Sequence, residues 1–210
     1  MTADHKRDWV EVAAAILLAF AAVATAWSSY QATRWNGEQA KASGKVNKTR
    51  IEAARASDLA NAQEQVDVAT FMQWVDSYAR GDDELVTFYQ QRFRAEFKPA
   101  FNAWIATKPL KTKGAPLTPF AMPEYKLAAK MEAARLDRTA EVLSAGVRRD
   151  IQRASNYVLG VVLFAVALFF AGMSTKLTAR GLREAMLAVG YIIFLGTAVW
   201  IATSPVSVTI

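Results

Sequence analysis

The stretch "RRDIQRASNYVLGVVLFAVALFFAG" (residues 148–172) changes character halfway along, with no helix breaker at the join. Its first half mixes charged and apolar residues as an amphipathic helix does. From Tyr157 to Met173 it carries no charge at all. That second half approaches the ~20 residues needed to cross a hydrocarbon core of ~30 Å. Going back towards the N-terminus, Leu136, Ala140, Leu143, Val147, Ile151, Ala154 and Val158 step by three or four residues. This is a coiled-coil-like seam that enters the apolar run without changing phase. Gly146 is the one weak helix former on the way. A continuous helix from Glu124 to about Ser174 is expected, roughly 75 Å long at 1.5 Å per residue. One rod would then join a polar bundle to the membrane and hold the two rigid to each other.

Two further windows, residues 12–30 and 185–203, have the same apolar length, in a chain of 210 residues that is 53% hydrophobic. One such run can be a buried core, but three in a short chain point to a membrane protein. The first window also has features of a secretory signal, since "HKRDW" precedes "VEVAAAILLAFAAVATA" and small residues surround a cleavage point after Ala26. Retention as an anchor is the better reading. The helix-compatible run continues through "WSSYQATRW", and Trp27, Tyr30 and Trp35 suit an interfacial belt.

The expected fold is all-α, with three transmembrane helices and an extracytoplasmic helical bundle formed by long continuations of the first two spans. The expected spans are residues 10–31, 157–174 and 185–204. The connection 175–184 carries Lys176, Arg180 and Arg183 against Glu184, whereas the tail 205–210 has no charged side chain. The positive-inside rule therefore places that connection and the N-terminus (1–9) in the cytoplasm, with the tail and residues 32–156 outside. Arg34, Lys41, Lys45, Lys48 and Arg50 count against this orientation, although long translocated domains partly escape the rule.

Within 32–156, helices are expected at about 36–80, 82–107 and 124–156, with a proline-rich loop at 109–123. On the first, apolar residues gather at Leu59, Val66, Phe71, Trp74, Val75 and Tyr78. "RGDDE" reads as a turn in which Asp82 or Asp83 caps a new helix. In that helix Leu85, Tyr89, Phe93, Phe97, Phe101 and Ile105 recur every four residues, and Pro99 is expected to kink it. Phe120, Met122 and Tyr125 would pin the loop to this aromatic face.

The strings "AAAILLAFAAVATAWSSYQATRWNGEQA", "ANAQEQVDVATFMQW", "FYQQRFRAEFKPAFNAW", "TPFAMPEY" and "NYVLGVVLFAVALFFAGMSTK" together span nearly the whole chain. As a set they resemble a family of uncharacterised bacterial integral membrane proteins. The resemblance implies a three-span protein of the bacterial cytoplasmic (inner) membrane and transfers no functional residue.

Few chemistries remain open. Without cysteine there is no thiol catalysis or disulfide, and His5, the single histidine, is expected across the membrane from the polar domain. A Ser-His-acid centre or histidine-ligated zinc in that domain is therefore excluded. "GEQAKASGK" fails the phosphate-loop pattern in both spacing and context. Glu64 with Asp67, and Asp82, Asp83 and Glu84, are read as a solvated face and a helix cap rather than as a metal site. No catalytic group or cofactor is expected. The net charge of +6 is dispersed among acids, which argues against nucleic-acid binding and suggests attraction to membrane lipids.

Three groups are candidates for contact. Arg34, Arg148, Arg149 and Arg153 would cluster beside the membrane as lipid-headgroup or anion contacts. Ala15 with Ala19, Ala22 with Ala26, and Ala167 with Ala171 have the spacing of closely packed membrane helices. Thr25, Ser28 and Ser29 would line the pore of an oligomeric channel. The expected function is non-enzymatic: an outer helical domain that mediates assembly, as a homo-oligomer or with another membrane protein. A channel for ions or small solutes is the first alternative. An extracytoplasmic sensor without its own output domain is the second.

Overall fold

The computed structural model describes residues 9–109 and 111–207, and its elements are all helical. They are α1 (Trp9–Arg80), α2 (Asp83–Arg92), α3 (Lys98–Ala106), α4 (Ala128–Ser174) and α5 (Arg180–Ala202), with a 3-10 turn at Pro119–Ala121. α1, α4 and α5 are each long and apolar enough to cross a membrane, which is the architecture of a multi-pass membrane protein. The helix of α4 is unbroken through Asn156, where the chain changes from polar to apolar. Contacts divide the chain into two compact units, Met1–Gly44 with Leu143–Ile210, and Lys45–Val142.

The first unit is a three-helix packing with a 3.5-residue period. On α1, Val10, Ala14, Leu17, Ala21, Ser28, Gln31 and Trp35 are buried. Ala154, Tyr157, Phe164, Ala167 and Ala171 are buried on α4, and Leu187, Thr197 and Ile201 on α5. Such three-four spacing gives each helix a narrow seam, the geometry of left-handed coiled coils. Small residues let the backbones approach closely. A Cβ on Gly160 would lie 2.8 Å from Ile201 Cδ1, and one on Gly190 would lie 3.1 Å from Leu17 Cδ2. Around them the larger side chains form two clusters, Trp35, Tyr157, Phe164 and Ile201 in one, Val10, Leu17 and Leu187 in the other.

The seam of α4 takes a different path from the expected one, because Ile151 and Val158 are exposed while Ala154 and Tyr157 are buried. A strict three-four alternation continued from Ala140 passes through Asp150 rather than Ile151. The acid is tolerated there because Arg153 Nη1 lies 3.1 Å from its Oδ1.

The second unit is built around an aromatic core of Phe71, Trp74, Phe93, Phe97, Phe101 and Trp104, against which Phe120, Met122 and Tyr125 pack. α1 ends in a Schellman-type cap. Gly81 adopts φ 71°, its N–H donates to Tyr78 O at 3.2 Å, and the Asp82 N–H donates to Ser77 O at 3.0 Å. Asp82 then caps α2 by accepting from the Leu85 N–H at 3.0 Å. The single helix expected over 82–107 is two helices. The chain leaves α2 at Phe93, with φ −54° and ψ 139°, and re-enters helix at Lys98. Pro99 therefore starts α3, where its missing N–H would have no partner in any case, and does not kink a longer helix. The break brings the Phe93 ring to 4.9 Å from Phe97 and 4.8 Å from Phe101, both edge-on. Leu85 and Ile105, the ends of the expected stripe, are left exposed. α4 likewise begins at Ala128 rather than Glu124, where a side chain from another segment caps it.

The two glycine environments give opposite expectations. Gly160→Val overpacks the contact with Ile201 and should destabilise the spans by about 1–3 kcal/mol. Gly146 has nothing within 4 Å of an added Cβ, so Gly146→Ala should stabilise by up to about 1 kcal/mol. Unfolding in mixed micelles measures both.

Candidate functional site

In the second unit the seven-residue series Val46, Ala53, Ala60, Asp67, Trp74 runs along the buried face of α1, and one member is an acid. Asp67 is fully buried. Its Oδ2 accepts from Arg94 Nη1 at 2.8 Å and from the Tyr125 hydroxyl at 3.1 Å, while Oδ1 is buried with no hydrogen-bond partner. Arg94 also pairs with Glu96, whose Oε1 accepts from the Ala128 N–H at 3.1 Å and so caps α4. A single charge chain therefore ties α1, the α2–α3 break and the start of α4. It supplies the reason for the break, since Arg94 reaches Asp67 from non-helical backbone.

Burial holds the Asp67 carboxyl above its ordinary value, against the hydrogen bond from Tyr125 and the charge of Arg94. The Tyr125 hydroxyl is pushed well above its usual range by burial and by the adjacent carboxylate. These groups are engaged with one another, and their arrangement is that of a positioning network. Glu64, one turn from Asp67, does not join it; its carboxylate faces Lys130 at 4.0 Å.

The four candidate arginines have different environments. Arg148 and Arg149 are exposed. Arg153 is turned inward, paired with Asp150 and stacked 4.5 Å from the centre of the Trp35 ring. Arg34 is half-buried, and its Nε has no hydrogen-bond partner. Beside them lies a polar anchor that sequence reasoning missed. Trp35 Nε1 and the Tyr157 hydroxyl both donate to Pro205 O, at 3.2 and 3.1 Å, and the Ser207 N–H donates to Gln31 Oε1 at 3.0 Å. Nothing in the apolar tail sequence signals this, because the acceptor is a backbone carbonyl.

The candidate packing alanines separate cleanly. Ala167 and Ala171 are fully buried in the α4 seam. Ala15, Ala19, Ala22 and Ala26 are exposed, on the face of α1 opposite its seam. That face continues with small residues at the same spacing through Ser29, Thr33, Gly37, Ala40 and Gly44, all exposed. Extending the three-four count beyond the apolar window would have found it. Of the candidate pore residues, Ser28 is fully buried with no partner for its Oγ, Thr25 Oγ1 donates back to Ala21 O at 2.7 Å, and Ser29 is exposed. His5, Lys6 and Arg7 lie outside the described residues.

No protein-family model matches the chain, and no curated protein or solved structure is found to match it.

The polar network has a definite pH signature. A carboxyl whose folded pKa is raised favours the fold while protonated. The contribution of Asp67 is therefore greatest below its ordinary value of 3.8 and declines as pH rises through the higher folded value. Asp67→Asn should remove that decline from a stability-versus-pH curve. At neutral pH, Arg94→Met strands a buried carboxylate and should cost about 3 kcal/mol, much of it restored in the Asp67→Asn/Arg94→Met double variant. Denaturant titration of all three variants checks the cycle.

Proposed function

We propose that this is a non-enzymatic protein of the bacterial cytoplasmic membrane that assembles through α1, one copy packing against another along the small-residue face. The carrying observation is the uncovered stripe of nine residues none larger than threonine, from Ala15 to Gly44. A face turned to lipid has no need of small side chains, and the neighbouring exposed positions Ile16, Phe20 and Val23 are large. Beyond the span a solvent-facing helix would ordinarily carry charged or long polar residues. Here it carries Gly37 and Gly44, each with nothing within 4 Å of an added Cβ. A helix-interior glycine is destabilising by about 1 kcal/mol relative to alanine. A second helix approaching closely along this stripe offsets that cost through backbone packing.

The loop charges support an orientation with the α4–α5 connection in the cytoplasm and the unit Lys45–Val142 outside. The non-enzymatic reading rests on the engaged state of the Asp67 network and on the residue types the chain carries.

Because the chain has no cysteine, single cysteines report contacts without background. In native membranes, oxidation should give a covalent dimer for Ala26→Cys and Gly37→Cys and little for Phe20→Cys, with Ala22→Leu reducing the yield at both stripe positions. Monomer throughout, or equal cross-linking at Phe20→Cys, would refute the assembly.

A further inference from the structure

The structure assigns a ligand site to the cleft between α1, α2 and α3 at the distal end of the aromatic core: we propose that it takes an aromatic monocarboxylate. This inference does not depend on assembly through α1. The cleft holds about 480 Å³ and lies wholly within the unit Lys45–Val142. That volume is in the range of small-molecule sites, which combine apolar walls with a few placed polar groups.

Trp74, Tyr78 and Trp104 form the aromatic wall. The Trp74 and Trp104 rings stand nearly perpendicular, 6.3 Å apart. Both are almost fully buried, with Trp74 stacked on Tyr78, so they give the cleft a packed aromatic floor for a flat ligand. The two indoles differ in what they have left to give. Trp104 Nε1 donates to Pro116 O at 2.7 Å, whereas Trp74 Nε1 is buried without an acceptor. A buried donor left unmatched is costly, and a ligand oxygen that reaches it through a small shift of the indole would relieve that cost.

The charge at the cleft is of one sign. Lys108 and Lys111 line it and no carboxylate does. Neither lysine makes an ion pair with a described residue. Lys108 has φ 51°, in the left-handed region where glycine is the inexpensive residue at a helix end. The Lys111 and Thr112 N–H groups both donate to Lys108 O, at 2.8 and 3.0 Å, which fixes that turn. A backbone angle of this kind, held by two hydrogen bonds and placing a lysine at the rim of an aromatic floor, is the sort of outlier that gathers at ligand sites. The same charge also complements the C-terminal end of the α3 dipole, so the test must separate ligand recognition from a purely structural role. A single carboxylate on an aromatic body matches two ammonium groups and one indole N–H against apolar walls. A more highly charged, small anion would leave the walls unused.

The experiment uses the full chain in nanodiscs and ligand-observed ¹⁹F NMR with 3-(4-trifluoromethylphenyl)propionate. The probe line should broaden beyond its value in empty nanodiscs. The corresponding amide should bind about tenfold more weakly, a difference of about 1.4 kcal/mol. Lys108→Gln/Lys111→Gln should lose about the same factor at unchanged helicity, and Trp74→Phe should weaken binding about threefold while keeping the ring. Broadening no greater than in empty nanodiscs overturns the proposal. So does amide binding equal to that of the acid, or unchanged affinity in the folded lysine double variant. Tighter binding of the matching phosphonate would overturn the carboxylate assignment.

Discussion

The narrow three-four seam governs this molecule. In lipid every backbone polar group must be satisfied within its own segment, so the spans are helices before any side chain is considered. Side chains then decide only which strip of each helix is shared. Here that strip is one residue wide and rich in alanine, glycine and serine, so α1, α4 and α5 meet through close backbone approach with a few aromatics filling the remaining space. Because hydrocarbon offers no driving force for apolar burial between helices, shape and van der Waals contact hold the spans. A Cβ at Gly160 or Gly190 is therefore a larger perturbation than its size suggests.

The same period continues along α1 into the second unit. Val46, Ala53, Ala60 and Trp74 keep the seam apolar, and Asp67 interrupts it. The interruption is tolerable because three segments converge on the carboxylate. Arg94 supplies charge, Tyr125 a hydroxyl donor, and Glu96 carries the chain on to the α4 cap. Removing one partner from such a network costs more than replacing the whole of it with apolar groups. That asymmetry makes the pair effective at fixing where α2 must stop.

The all-helical class, the three helices long and apolar enough to cross a membrane and the Gly81–Asp82 junction were legible because they follow from local rules: length, hydropathy and capping chemistry. The path of the seam was not. Alanine lies on most faces of α1, so composition could not choose Ala14 and Ala21 over Ala15 and Ala19, and the true series includes Ser28 and Gln31, which read as polar. On α4 the seam passes through Asp150, acceptable only because Arg153 lies three residues away. The α2–α3 break was hidden for a related reason. The stripe from Leu85 to Ile105 satisfies helical periodicity throughout, and what ends the helix is a partner 27 residues away, Asp67. Of the candidate site residues, the alanines were chosen by the correct spacing rule and fell on two different surfaces. The cleft at Trp74 was not legible in the sequence because its polar character comes from one unmatched donor and two lysines that only the turn after α3 brings to its rim.

The two faces of α1 differ in what covers them. An exposed helical face normally gains stability from long side chains that cover the backbone and hydrogen-bond with water. The Ala15–Gly44 face forgoes that on both the apolar and the polar part of the helix, and its two glycines lower helix propensity as well. The opposite face makes its contacts inside the chain through a mixed seam, in which Ala14, Ala21 and Ser28 are interspersed with Val10, Leu17, Gln31 and Trp35. The bare side carries only small residues, whereas the covered side also holds Leu17, Gln31 and Trp35. The bare side therefore has a geometry in which another backbone can approach at least as closely. Lipid tails would fill such a groove with mobile chains and gain little, whereas a rigid partner helix gains the whole length of contact at once.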